Sequence, residues 1–409
     1  MTHESPTPLV HFRSAAVRAG HSKRAVLEAL DNAGPESRTD AKLVLVNAAV
    51  GHDLVTLSRA IQEECPSARV LAASCAGVVG REGPGESMYD MAVMVLSGSG
   101  FSVASVDQLF GDSSFDKGAE LAQRLVATAP LPIRMLYLLA SGIDIANDRL
   151  IAGIESVLGP EIVIFGATSS DQMQGVATFQ AVDGERYRHG AFAVGFWDPT
   201  LSVETQATHG FEAVGEPMTI STVDGNRITA IDDAPAWPTF LMHLELPSTA
   251  TEADTIPIGA LAEELPPALA AEYGNSHILR VVTHHTAEGH LVYATQPSPG
   301  LRLWLTRRNE ERIFREMDRM TTAMTARQPN QWPIAVFQAD CLARGRRLFN
   351  RVMKEELVHR IQQPFAEQGQ VPPWFGMYGF GEYARLGGRN AYHNYTTALA
   401  AIYRTPRHA

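Results

Sequence analysis

The sequence predicts an α/β (mixed α+β) protein of two domains: an N-terminal domain with duplicated β-α-β units, and a C-terminal domain with a mixed sheet and flanking helices. Three observations carry this. Runs such as "KLVLVNAAV" and "RMLYLLASG" are apolar without alternation, as strands covered on both faces are. Each is followed by an amphipathic stretch and a second apolar run. The chain, at 409 residues, is also too long for one ordinary core.

In order, "KLVLVNAAV" reads as strand, "DLVTLSRAIQEE" as helix and "ARVLAASCAG" as strand. After two antiparallel strands, "DMAVMVLSGS" and "GFSVASVDQLF", the pattern returns as "RMLYLLASG", "NDRLIAGIESVLG" and "EIVIFGATSSD". Both passes end in small and hydroxyl residues, which argues for an internal duplication, although any two β-α-β units share part of that likeness. Beyond Gly175 helices become scarce. Asp-Gly in "ATFQAVDGERY" and "TISTVDGNRITAID" is the chemistry of tight hairpins, and "RVVTHHTAEGHLVYAT" resembles them.

Pro235, Trp237 and Pro238 mark a boundary that gives domains 40–235 and 236–400, and the Pro- and acid-rich stretch from Leu246 to Gly274 reads as a linker or peripheral insertion. The second part continues with a strand, the helix "ERIFREMDRMTTAMTA", the strand "PIAVFQADC", the helix "NRVMKEELVHRIQQPF" and the glycine- and aromatic-rich "YGFGEYARLGGRNAYHNYT".

Composition narrows the function. With 34 basic and 45 acidic side chains, the net charge of −11 disfavours nucleic acid and anionic membrane, because phosphate binding needs clustered Lys and Arg. The basic residues that do cluster, Arg344, Arg346 and Arg347, read as a solvated face. Cys65, Cys75 and Cys341 form no zinc-like spacing and suggest a reduced, cytoplasmic protein. Neither a signal-peptide core nor a membrane-length apolar run is present. Nucleophile elbows, phosphate loops and metalloprotease motifs are absent, so no catalytic residue is assigned and the protein reads as a non-enzyme.

Ligand binding is the better expectation. Open α/β sheets bind ligands beyond the carboxyl ends of their strands, where Ser74, Cys75, Ser141, Gly142, Thr168, Ser169 and Asp171 gather if the two units lie side by side. The alternative is that small residues only let strands and helices approach closely. His284 and His285 are adjacent in a strand and so point to opposite faces. His209 and His393 stand singly, and one neutral imidazole suffices as a proximal haem ligand.

The ordered set "SCAG" at Ser74 to Gly77, Ser141-Gly142, Gly166 to Asp171, then C-x-x-R at Cys341 and Arg344, G-x-Y-x-x-G-E at Gly376, Tyr378, Gly381 and Glu382, and H-N-x-T at His393, Asn394 and Thr396 resembles the FIST family over roughly residues 40 to 400. The sequence reads as a stand-alone sensor, and the resemblance implies an intracellular sensory module that binds a small, amino-acid-like ligand, expected at the residues named above together with Arg344, Tyr378, Glu382 and Asn394. It also implies signalling through a separate partner such as a histidine kinase. Some relatives bind haem and respond to nitric oxide, which makes a haem on His209 or His393 the alternative. An unrecognised enzyme, with Glu382 and Cys341 as acid/base and thiol, is the third reading.

Overall fold

The computed structural model describes residues 10–172, 174–255, 260–345 and 351–405. Three six-stranded sheets share one pattern, centred on a parallel pair joined by a helix. In the first, Ala41–Ala49 and Arg69–Cys75 run parallel, linked by the helix Leu54–Glu64. In the second, Met135–Ala140 and Val163–Thr168 are linked by Asn147–Leu158. These are the two units expected from the sequence. The third is Ala335–Cys341 and Trp374–Gly379, linked through Arg351–Gln362, so the unit occurs three times.

Two antiparallel strands flank the first member of each pair. They are Asp90–Gly98 and Val10–Arg18 in the first sheet, Ala191–Phe196 and Phe101–Val106 in the second, and Thr397–Arg404 and Leu201–Thr208 in the third. A two-stranded hairpin flanks the second member, and that hairpin always comes from another unit. Val78–Gly80 and Gly83–Gly85 follow the first unit but pair in the third sheet. Gln180–Val182 and Glu185–Tyr187 follow the second unit and pair in the first sheet. Gly381–Leu386 and Arg389–His393 follow the third unit and pair in the second sheet. The exchange closes a cycle, so no sheet is complete without another unit, and two sheets draw strands from both sides of residue 235. Residues before 40 also contribute, since Val10–Arg18 forms the edge of the first sheet and the helix Ser22–Ala33 packs behind it.

The apolar strands are buried on both faces, as their lack of alternation predicts. Where the sheets meet, Phe12, Tyr137, Phe165, Phe337 and Phe375 form an aromatic hub with ring centroids 5.1 to 6.4 Å apart. Such pairs add about 0.5–1.5 kcal/mol each beyond area burial. The Asp-Gly hairpins form as read, with Asp183 and Gly184 both at positive φ.

A fourth sheet is inserted between Thr208 and Glu310, and runs from His277–Arg280 and Leu261–Glu264 through Arg302–Arg308 and Phe211–Asp224 to Val282–His285. The stretch read as a linker supplies one of its strands, Leu261–Glu264, and the helix Pro267–Tyr273, which ends at Gly274 in the left-handed region. Leu261 and Tyr273 are buried, and burial of that kind is what a solvated linker lacks.

The helices Ser114–Thr128 and Asn147–Leu158 touch at two glycines. A Cβ on Gly153 would meet the Phe115 carbonyl oxygen at 2.0 Å, and one on Gly118 the Leu150 oxygen at 2.3 Å. Gly→Ala inside a helix ordinarily gains up to about 1 kcal/mol. At Gly153 overpacking of a backbone that cannot yield reverses the sign, and Gly153→Ala is expected to lose about 1–3 kcal/mol in urea denaturation. An unchanged or raised midpoint would show that the helices separate freely.

Candidate functional site

The hydroxyls gathered at the strand ends of the first two units close those ends against one another. Ser74 Oγ donates to the Ser170 carbonyl (3.0 Å) and accepts from Phe179 N (2.9 Å), while Ser170 Oγ donates to the Tyr378 carbonyl (2.7 Å). Ser141 Oγ lies 3.2 Å from Thr178 Oγ1, which also accepts from Gly142 N (3.1 Å). Ser169 Oγ accepts from Gln180 Nε2 (2.8 Å), and Thr168 receives Phe380 N on its carbonyl. Asp171 organises its own loop, accepting from Gln174 N and Val176 N at 2.8 Å each. Cys75 and Tyr378 are buried, Tyr378 against Gly77. The three units thus meet at Ser74, Ser170 and Tyr378, and within this group Gly142 and Ser74 each reach a cavity, Ser74 a separate one beside Asp53 and Arg186.

A different arrangement surrounds the C-terminal motif residues. Arg344, wholly buried just past the strand Ala335–Cys341, directs Nη1 at both oxygens of Asp340 (3.2 and 3.3 Å) and at Thr397 Oγ1, which itself donates to Asp340 Oδ2 (2.6 Å). Its Nε and Nη2 are buried without a hydrogen-bond partner. Glu382, on the exchanged hairpin, takes the Thr396 hydroxyl on Oε2 (2.7 Å) and leaves Oε1 unpartnered. Asn394 spends Nδ2 on the Phe380 carbonyl (2.9 Å) and leaves Oδ1 unpartnered. The Tyr273 hydroxyl makes no hydrogen bond, and the His393 ring makes none of good geometry, with only the Ala384 backbone near it as a partner. His209 differs, since Nδ1 accepts from Phe211 N (3.1 Å) and Nε2 donates to the His277 carbonyl (3.0 Å). The rings of His209 and His393 lie 5.9 and 5.8 Å from Tyr273.

These groups share one field. The charge of Arg344 is felt at Asp340, Glu382, Tyr273 and His209. Burial drives Glu382 well above the usual carboxylate range; the Thr396 hydrogen bond opposes this and the Asp340 charge adds to it. Burial likewise lowers His209 and His393 to about 3, so both imidazoles are neutral. Unpartnered polar atoms are rare in folded interiors and call for a ligand, water or ion.

Beside this cluster lies a cavity of about 50 Å³ whose walls include Gly142, His284, Cys341, Phe380, Tyr392 and Tyr395. Ala343 and Tyr395, chain neighbours of Arg344 and Asn394, also face it. The paired histidines diverge as strand geometry requires. His284 lines the cavity, with Nε2 3.8 Å from Asp144, whereas His285 stacks on Trp237 (4.1 Å) with Nδ1 2.6 Å from Glu252. Burial pushes the Cys341 thiol well above its ordinary value, the state of an inert thiol. Sequence reasoning missed Asp340, Thr397 and Tyr273, and named His284 without placing it at the site. The solvated-face reading of Arg344 is overturned, since the side chain is wholly buried in the short helix after the strand, and a buried arginine needs a nearby carboxylate, which Asp340 supplies four positions back. Arg346 and Arg347 lie outside the described residues.

Among the described residues no group of three or more His, Cys, Asp or Glu is placed to hold a metal, and no helix is long and apolar enough to cross a membrane. The FIST N domain matches residues 42–234 and the FIST C domain residues 245–385. The chain belongs to the FIST family. FIST domains are small-ligand sensory domains of signalling proteins, which is the class to which this protein's function belongs. No curated protein matches the chain. Among solved structures, the cyanuric acid hydrolase of A. caulinodans is 7% identical with a TM-score of 0.36, covering 97% of this chain and 100% of its own. A second cyanuric acid hydrolase structure is 9% identical with a TM-score of 0.35 over the same shares. Likeness at that level carries no argument about this FIST protein's chemistry.

Proposed function

We propose that this FIST protein is a cytoplasmic sensor that binds an amino-acid-like ligand at the buried cluster beside the cavity and signals through a separate protein such as a histidine kinase. The observation that carries the reading is the set of buried atoms left without partners. Nε and Nη2 of Arg344 form the two-pronged donor that suits a carboxylate, and Oε1 of Glu382 and Oδ1 of Asn394 are acceptors that suit an ammonium. With Glu382 giving up its proton to solvent as the ammonium arrives beside it, the set complements a zwitterion. The 50 Å³ cavity has room for only a small group, so a bound ligand displaces Tyr395 or Phe380 from its wall. Each motif residue contributes one function: Arg344 recognises the acid, Glu382 and Asn394 the amine, and Asp340 and Thr397 hold Arg344 in orientation.

Calorimetry with a panel of free amino acids tests this. Saturable binding to the native protein, weakened at least about tenfold in Arg344→Lys, is the expected result, since lysine keeps the charge and loses the fork. An absence of binding across the panel, or equal affinity in the variant, would sink the proposal.

A haem fits these residues poorly. Both nitrogens of His209 are already hydrogen-bonded, and His393 is buried against Tyr273 with no cavity beside it of macrocycle size among the described residues. Protein purified with haem supplied is expected to show no stoichiometric Soret band, and a band lost in His393→Ala would overturn that expectation.

A further inference from the structure

We infer that a second cavity, at the other end of the second sheet, binds a small carboxylate- or phosphate-bearing anion. This cavity, of about 240 Å³, is lined by Arg319, Arg327, Arg385, Glu204, Glu272 and Tyr273 among others, including Val163. Val163 begins its strand and pairs with Met135, whereas Gly142 of the first cavity lies just beyond Ala140, which pairs with Thr168. The five-residue length of strand between those pairs separates the two cavities by roughly 16 Å.

The charges do not cancel within the second cavity. Arg327 and Gln328 occupy Glu204, at 3.4 and 3.1 Å. Arg319 is held by Glu316 (2.7 Å) and by the Tyr273 carbonyl (3.0 Å). Arg385 is different. Its Nη2 meets only the carbonyls of Gly388 and Pro160, and the closest carboxylate, Glu161, is 3.9 Å away and almost fully exposed. The Arg385 side chain is four-fifths buried and its Nε has no partner, and Thr205 Oγ1 on the facing strand is also buried and unpartnered. A cation sheltered from solvent with an unused N–H attracts an anion more strongly than exposed Glu272 repels one, because the solvent screens Glu272. The turn Gly387-Gly388, both at positive φ, places no side chain across the opening.

Phosphate and succinate, titrated separately by calorimetry at constant ionic strength against a chloride control, test the inference and distinguish the two ligand sources. Saturable binding of one or both is expected, reduced at least tenfold in Arg385→Gln, reduced to a smaller extent in Arg327→Gln by loss of one cation of the cavity, and unchanged in Arg344→Lys. Arg327 is about half exposed, so its variant folds even where Arg385→Gln does not. Binding that chloride reproduces, that both variants retain, or that is absent altogether overturns it. Loss of anion binding in Arg344→Lys would place the anion in the first cavity and likewise overturn it.

Discussion

Replacing Arg344 with methionine is expected to cost about 3–5 kcal/mol of stability, the penalty for leaving a buried partner charge uncompensated. Asp340 would keep only the Thr397 hydroxyl (2.6 Å) and a long bond from Gln338 Nε2 (3.4 Å), at the base of a strand that joins two others in the third sheet. The strand gains nothing in exchange, since Asp340 is 2% exposed and water cannot reach it without opening the sheet. The double variant Asp340→Asn/Arg344→Met is expected to recover most of the loss, because neither charge is then buried. Urea denaturation of the two variants decides the matter. A single variant as stable as the native protein would mean that the ion pair is retained for ligand binding alone.

The second large effect is the pH dependence of stability. His209 and His393 stay neutral in the fold down to about 3, while in the unfolded chain they take up protons below their ordinary value near 6.5. Their stabilisation is therefore present above pH 6.5 and is lost as pH falls, at about 1.4 kcal/mol per pH unit for each histidine. Glu382 has the opposite sign. Raised in the fold, it keeps its proton while the unfolded carboxyl loses one above about 4.5, so its contribution is full below that pH and is lost as pH rises. Asp340, also raised by burial, adds to that side. Below pH 6.5 the two histidines oppose the two carboxyl groups, and above it the carboxyl groups act alone, so stability falls as pH rises beyond 6.5. Denaturation curves from pH 4 to 9 measure this. His393→Phe, which removes one titrating ring, is expected to take about 1.4 kcal/mol per pH unit off the acid slope, and Glu382→Gln to flatten the alkaline one. An acid slope unchanged in His393→Phe would contradict the burial of a neutral imidazole at that position.

Of the residues in these expectations, the C-terminal motifs had marked Arg344, Glu382 and His393, but not Asp340 or His209. Arg344, Glu382, His393 and Asn394, separated by up to fifty positions, converge on one cluster with His209, whereas the hydroxyls at 74, 141 and 168–169 are spent on joining strand ends. The pattern showed which residues were unusual. It did not show which of them the fold would leave without partners, because that depends on atoms brought in from other strands.

By itself the sequence determined the α/β class, the first two β-α-β units, the Asp-Gly hairpins and the divergence of His284 from His285. All of these follow from residues within a few positions of one another, through strand and helix periodicity and turn chemistry. Tertiary structure alone decided the third unit and the cyclic exchange of hairpins. The pairing of Glu382 with His393 is local and legible, but that of Gly381 with Thr168 joins positions over two hundred residues apart and leaves no periodic trace. It likewise decided that Tyr273, from a stretch that reads as a linker, would stand between His209 and His393, because long-range burial overrides local composition.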